Sequence, residues 1–342
     1  MDGSSRHPKG IAMNFMGVNF DRRMLLLLGA LAATIVAIIG IHIIRNQRVA
    51  DVLAVVDITG SMNTRDMGNP RGSQNRLEAA RQALIDMMQD LPCQSRLGLG
   101  IFSERISYLL LDPVEICGNY DALEGAVSGL DWRMAWQGDS FIAKGLYSAI
   151  DIASSLKSDL IFLTDGHEAP PLPFTGVPEF DGKPGAVKGL IVGVGGSDKT
   201  PIPKYDDEGR QIGVYNESDV PQDNRIGAAP KDAETREGYN PRNAPFGALP
   251  ATGDEQLSSV KTAHLEDLAS RTGLTYVELQ NVSAIAPKLL SSTEPRIVPV
   301  NTDMAYVPAL FALLSMLALY ALQLFEGTPA RRSRSRTSPL VN

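Results

Sequence analysis

Residues 50–61 read Ala50-Asp51-Val52-Leu53-Ala54-Val55-Val56-Asp57-Ile58-Thr59-Gly60-Ser61, a short apolar run that ends on a carboxylate followed by two hydroxyl residues and a glycine. A run without polar alternation predicts a strand covered on both faces, of the kind found in parallel sheets. Ligands of open α/β sheets gather at the carboxyl ends of the strands. Asp57, Thr59 and Ser61 therefore stand where a site would form.

The flanking sequence fits such a sheet. Residues 76–91 carry apolar side chains at 77, 80, 84, 87, 88 and 91, a helical period that Pro92 stops. Residues 96–102 and 106–111 flank the polar turn Ser103-Glu104-Arg105 and predict a hairpin. Apolar positions 142, 146, 149, 150 and 153 predict a helix over 140–156, and residues 159–164 form a second continuous apolar strand ending in Asp165-Gly166. A third strand is expected over 188–194, closed by Gly195-Gly196, then a short helix over 264–271 capped by Gly273, a strand over 274–279 and a helix near 282–290. Strands alternating with helices predict an α/β, doubly wound, Rossmann-like domain over 50–292 with an antiparallel edge hairpin. No internal repeat is present. The stretch 197–260 breaks the pattern, being rich in Pro, Gly, Asp and Asn. Within it, 202–205 and 211–215 flank Asp206-Asp207-Glu208-Gly209-Arg210 as a second hairpin, and the rest, including 241–247, reads as a long irregular insert that is either functional or disordered.

The chain has 342 residues, is 44% hydrophobic and carries a net charge of −7. An acidic balance with no basic stripe excludes a general nucleic-acid binder. Two runs free of Asp, Glu, Lys and Arg, residues 24–44 and 306–325, are each long enough to cross a bilayer as a helix. Arg6, Lys9, Arg22 and Arg23 precede the first, and Arg331, Arg332, Arg334 and Arg336 follow the second. The positive-inside rule then places segment 1–23 and the basic tail 326–342 in the cytoplasm and the middle outside, against the weaker opposing signal of Arg45 and Arg48. A cleaved signal peptide competes for the N-terminus, but the first run is longer than such a region and leads into Arg45-Asn46-Gln47-Arg48. The two terminal segments carry +2 and +3 of the net −7, which leaves −12 on residues 24–325.

Only Cys93 and Cys117 are present. Folding the hairpin about its turn sets them nearly opposite, so a disulfide is geometrically reasonable, and two reduced buried thiols are the alternative. No Cys-x-x-Cys pair occurs.

Three segments carry the chemistry: Asp57-Ile58-Thr59-Gly60-Ser61, Gly138-Asp139-Ser140 and Thr164-Asp165-Gly166. Each lies at the carboxyl end of an expected strand or the start of a helix, so they can converge. Taken singly they are ordinary N-caps or turns. Together they offer hydroxyl and carboxylate oxygens without thiolate or imidazole, a donor set for Mg²⁺, with Mn²⁺ or Ca²⁺ possible, and not for zinc. Two carboxylates and three neutral hydroxyls leave room for a carboxylate from a partner, so the metal would act as a bridge rather than as a reaction centre.

These residues resemble the von Willebrand factor type A domains that bear a metal-ion-dependent adhesion site, with the pattern Asp-x-Ser-x-Ser, a later Thr and a later Asp-Gly. Asp57, Thr59 and Ser61 match the first element, Ser140 the Thr and Asp165 the final Asp; Thr59 and Ser140 depart from the pattern and keep its hydroxyl. The resemblance implies a Mg²⁺-dependent protein-binding site. Asp57-Ile58-Thr59-Gly60-Ser61-Met62 with Arg65-Asp66 and Asn75-Arg76-Leu77 also looks like the membrane-anchored type A proteins of bacteria, the aerotolerance group included. Leu91-Pro92-Cys93 before Ser95-Arg96-Leu97-Gly98-Leu99, Asp131-Trp132-Arg133-Met134-Ala135-Trp136, and Asp165-Gly166-His167-Glu168-Ala169-Pro170-Pro171 are more similar to the accessory proteins of methanol dehydrogenase gene clusters. That likeness implies a non-catalytic scaffold assisting assembly of, or calcium insertion into, a periplasmic quinone-dependent dehydrogenase. A general aerotolerance or envelope-stress scaffold with other membrane or ATPase partners is the alternative.

Trp132, Trp136 and His167 are candidate partner-binding residues beside the metal, the tryptophans as aromatic anchors; packing on the core or an ordinary loop histidine are their plain readings. No Gly-x-Ser-x-Gly elbow supports a hydrolase. Asp206-Asp207-Glu208 lacks the spacing of an EF-hand, and Gly193, Gly195 and Gly196 lack that of a dinucleotide fingerprint.

Overall fold

The computed structural model describes residues 14–15, 18–19, 21–69, 72–135, 138–225, 227–242, 244–247, 253–281 and 284–327. The chain divides into two units, one of residues 47–298 and one of residues 1–46 with 299–342.

In the first unit the decisive run is β1 (Asp51–Asp57), in which Val52 to Val56 have no exposed surface. It leads to α1 (Arg76–Asp90), started by Asn75, whose side chain accepts from the Glu78 N–H at 2.7 Å. Then come β2 (Arg96–Ser103), β3 (Ile106–Glu115), α2 (Tyr120–Ser128), α3 (Ile142–Leu156), β4 (Asp159–Thr164) and β5 (Gly189–Gly193). The unit closes with α4 (Thr262–Thr272), β6 (Thr275–Glu278) and α5 (Ile285–Ser292).

The six strands form one sheet in the order β6-β5-β4-β1-β2-β3, all parallel except the edge strand β3, which pairs antiparallel with β2. Alternation along β1 divides the core. Val52, Ala54 and Val56 join the apolar faces of α1, α2 and α5, while Leu53 and Val55 join those of α3 and α4. The chain leaves β1 toward β2 on one side and reaches β4 on the other, so the crevice of the fold opens at the carboxyl ends of β1 and β4. Register sets Val56 beside Leu163, which brings Asp57 level with Thr164.

Cys93 and Cys117 are joined in a disulfide, with Cα atoms 5.3 Å apart, across the open end of the β2–β3 hairpin. The insert contains the expected hairpin, with Pro203–Tyr205 paired to Gln211–Val214. It also holds a bridge of Thr200–Pro201 with Leu257–Ser258 and short 3₁₀ turns at Glu217–Asp219 and Ala233–Thr235. Periodicity had not marked α2, a helix of nine residues.

In the second unit two helices, Arg22–Ile39 and Tyr306–Gly327, are long and apolar enough to cross a membrane. The first is shorter than the apolar run 24–44. Gly40, at φ 79°, ends it, and residues from His42 onward belong to a strand, His42–Val49, that pairs with Arg296–Asp303. Ile43 and Ile44 are apolar, but their β-branched side chains suit a strand as well as a span, and a left-handed glycine decides between the two.

Candidate metal-dependent binding site

Asp57 is fully buried at the end of β1. Its Oδ1 accepts from the backbone N–H and the hydroxyl of Thr59, at 2.9 and 2.7 Å, and its Oδ2 accepts from the Thr164 hydroxyl at 2.6 Å. Asp165, one residue past β4, is also fully buried; its Oδ1 accepts from the His167 N–H at 2.9 Å. Its Oδ2 accepts from Arg76 Nη1 at 2.5 Å and from Ser258 Oγ at 3.3 Å. Ser140 is held by an exchange of backbone hydrogen bonds with Ala169, at 2.6 and 2.8 Å. Its Oγ, like that of Ser61, is buried and has no hydrogen-bond partner among the described residues.

Thr59, Ser61, Ser140 and His167 line one open cleft of about 520 Å³. Trp132 and Ala135 and the insert residues Ile202, Tyr215, Val220, Pro221 and Glu255 also line it. Trp132 is half-buried, its ring 5.0 Å from that of Tyr205. Trp136 lies outside the described residues.

Burial raises both carboxylates, and their different neighbours send them in opposite directions. Asp57 is pushed up to about 7, first by burial and then by the charge of Asp165, against the hydrogen bonds from Thr164 and Thr59. Asp165 is held below its ordinary value: burial pushes it up, but the Arg76 guanidinium, followed by His167 and its backbone N–H, together outweigh that penalty. His167 is brought down to about 4 by burial, with Lys261 and Arg76 adding to it, so its ring is neutral near pH 7.

Several residues that matter here were not singled out from sequence. Arg76, wholly buried in the first turn of α1, reaches Asp66 (Nη2 to Oδ2 2.5 Å), Asp165, Ser258 Oγ (2.7 Å) and Ser61 O (3.4 Å). Glu168 caps α3 from outside, accepting from the backbone N–H groups of Ile142 and Ala143, both at 3.1 Å, and lies 3.0 Å from His264 Nε2. Asn75-Arg76 reads as an ordinary helix start, and nothing in the spacing tells that this arginine turns inward.

The donor set fits a divalent cation. Two serine hydroxyls, buried and unpaired in the lining of one cleft, are oxygen donors awaiting an acceptor of their lone pairs, and leaving them unmet would be costly.

A family model for the von Willebrand factor type A domain matches residues 52–167, which run from β1 to the turn after β4. No curated protein matches the chain. Among solved structures it is similar to an aerotolerance-related membrane protein from Bacteroides fragilis NCTC 9343, at 15% identity and a TM-score of 0.43, over 71% of this chain and 98% of that one. It is also similar to the conserved hypothetical protein BatB from Bacteroides thetaiotaomicron (14%, TM-score 0.40, 80% and 99%) and to the PilB minor pilin from Streptococcus sanguinis (11%, 0.33, 82% and 64%).

Proposed function

We propose that this chain, whose domain has the von Willebrand factor type A fold, is a non-catalytic scaffold that captures a protein partner through a divalent cation. The observation that carries this reading is the pair of unpaired buried hydroxyls, Ser61 and Ser140, in the lining of one cleft with Thr59, whose hydroxyl bonds Asp57, and His167, whose N–H bonds Asp165. Asp57, Thr59, Ser61, Ser140 and Asp165 would hold the ion, directly or through water. When bound, the ion supplies an open coordination position for a carboxylate of the partner. Trp132 offers an aromatic wall at the mouth, and Arg76 keeps Asp165 ionised and in place.

The two apolar helices would anchor the chain in a bacterial inner membrane, with the domain in the periplasm and both termini in the cytoplasm, as the flanking arginines favour. An oxidising compartment suits the Cys93–Cys117 bridge. The partner would be a periplasmic quinone-dependent dehydrogenase or one of its accessory proteins, a reading supported by the segments around Cys93, Trp132 and His167. The other reading is a general envelope scaffold of the aerotolerance kind, which shares the site and differs in its partner.

Affinity capture of the detergent-solubilised protein from its own cells, in Mg²⁺ and in EDTA, tests both layers. Dehydrogenase subunits recovered only with Mg²⁺ support the assembly role. Other envelope proteins recovered only with Mg²⁺ move the assignment to the general scaffold. A catch unchanged by EDTA, or by Asp57→Ala, overturns the metal bridge.

A further inference from the structure

His167 is 3% exposed, and its Nδ1 has no hydrogen-bond partner among the described residues. A buried ring nitrogen left unmet is costly. The ring is not placed by slack in the loop. Its backbone N–H is fixed to Asp165 Oδ1 at 2.9 Å, and the preceding Gly166 has φ +77° and lies so close to α4 that a Cβ there would meet Leu265 Cγ at 2.9 Å. The other ring nitrogen, Nε2, lies 3.7 Å from Glu255 Oε2. With its hydrogen on Nε2, the neutral ring presents a lone pair at Nδ1.

The same side chain lines the cleft with Thr59, Ser61 and Ser140. Ser61 Oγ, Ser140 Oγ and His167 Nδ1 are thus three buried, unpaired donors on one cleft. Among the described residues the other unpaired hydroxyls of this kind, on Thr64 and Ser103, belong to residues outside its lining. A ligand in that cleft is a common partner open to all three side chains.

We propose that His167 Nδ1 is a direct ligand of the divalent cation, so that the site is a mixed oxygen and nitrogen one that prefers a first-row transition ion such as Mn²⁺ to Mg²⁺ or Ca²⁺. This rests on the metal-bridge reading above and changes which ion it uses. Imidazole adds affinity for first-row ions and little for Mg²⁺, which favours oxygen and water. The position left for a partner carboxylate is retained.

The test uses the full chain in detergent, with Mn²⁺ and Mg²⁺ titrated separately and electron spin-echo envelope modulation recorded on the Mn²⁺-loaded protein. The expected result is an imidazole ¹⁴N modulation in the wild type that His167→Gln removes, with Mn²⁺ affinity falling about tenfold or more and Mg²⁺ affinity by less than about threefold. His167→Asn provides the same comparison if the glutamine variant does not fold. A wild-type spectrum without ¹⁴N modulation, or one that persists in the variant, overturns the ligand while Asp57→Ala still abolishes Mn²⁺ binding. Mn²⁺ binding undiminished in Asp57→Ala overturns the metal site itself, and this inference with it.

Discussion

At the scale of single residues, the site depends on how two buried carboxylates are kept apart electrically. Asp57 has only hydroxyl and amide donors, whereas Asp165 has a guanidinium at 2.5 Å. Replacing Arg76 by Met strands Asp66 and Asp165 in the interior, and removal of one partner from such a buried network costs about 3–5 kcal/mol. The expected outcome is a large drop in the denaturant midpoint; Arg76→Lys should recover little of it, since an ammonium cannot reach Asp66, Asp165 and Ser258 at once. Asp57→Asn behaves differently. It removes a carboxyl that burial already disfavours in ionised form, so the metal-free protein should be at least as stable as wild type near pH 8, while the rise in melting temperature on adding Mg²⁺ or Mn²⁺ disappears. A cation-induced rise equal to that of wild type would exclude Asp57 from the site.

At the scale of elements, two positions have consequences opposite to those of local rules. Gly145 lies inside α3, where alanine normally improves a helix by about 1 kcal/mol. A Cβ there would run into the ring of Phe102, which is fully buried on β2. Gly145→Ala should therefore destabilise the protein, by about 1–3 kcal/mol in chemical denaturation, because overpacking outweighs propensity. Asp159 opens β4, and its carboxyl is pushed up to about 6 by burial, then by Glu294 and Asp51. The folded chain thus holds this proton more tightly than the unfolded chain does. Stability is full below about pH 4, falls as the pH rises toward 6 and stays lower above it. Asp159→Asn should raise the melting temperature at pH 7.5 and leave it unchanged at pH 4; a gain of equal size at both would assign the effect to packing.

At the scale of the whole molecule, the Cys93–Cys117 bridge closes a loop with a sequence separation of 24 around the β2–β3 hairpin. Chain entropy gives such a closure about 3 kcal/mol. Cys93→Ser with Cys117→Ser should lower the unfolding free energy by an amount of that order and leave cation binding intact, since neither cysteine lines the cleft. Loss of cation binding in the folded double variant would show that the hairpin supports the site. The insert does touch the cleft: Ile202, Tyr215, Val220, Pro221 and Glu255 form a wall of it. The glycine just before this insert and a serine near its end also meet the Arg76 network, with the Gly196 N–H donating to Asp66 at 2.9 Å and Ser258 Oγ 2.7 Å from Arg76.

The sequence by itself determined the sheet and the edge on which the oxygen donors lie. Buried strands are written as continuous apolar runs, helices as 3.6-residue periods, and both are local patterns that need no knowledge of distant residues. Asp57, Ser140 and Asp165 could be placed at one edge for the same reason, since each follows directly from where its own strand ends or its helix begins. Tertiary structure alone decided what faces those groups. The inward turn of Arg76, the closing of Glu168 over α3, the wall formed by the insert and the unpaired nitrogen of His167 all depend on contacts across tens to hundreds of residues, such as the 182 between Arg76 and Ser258. The end of the first apolar helix likewise rested on one backbone angle at Gly40 and on pairing with a strand from the other end of the chain. Periodicity records which face of an element is apolar; it does not record which polar group will be buried against which, because that pairing energy exists only once the elements have met.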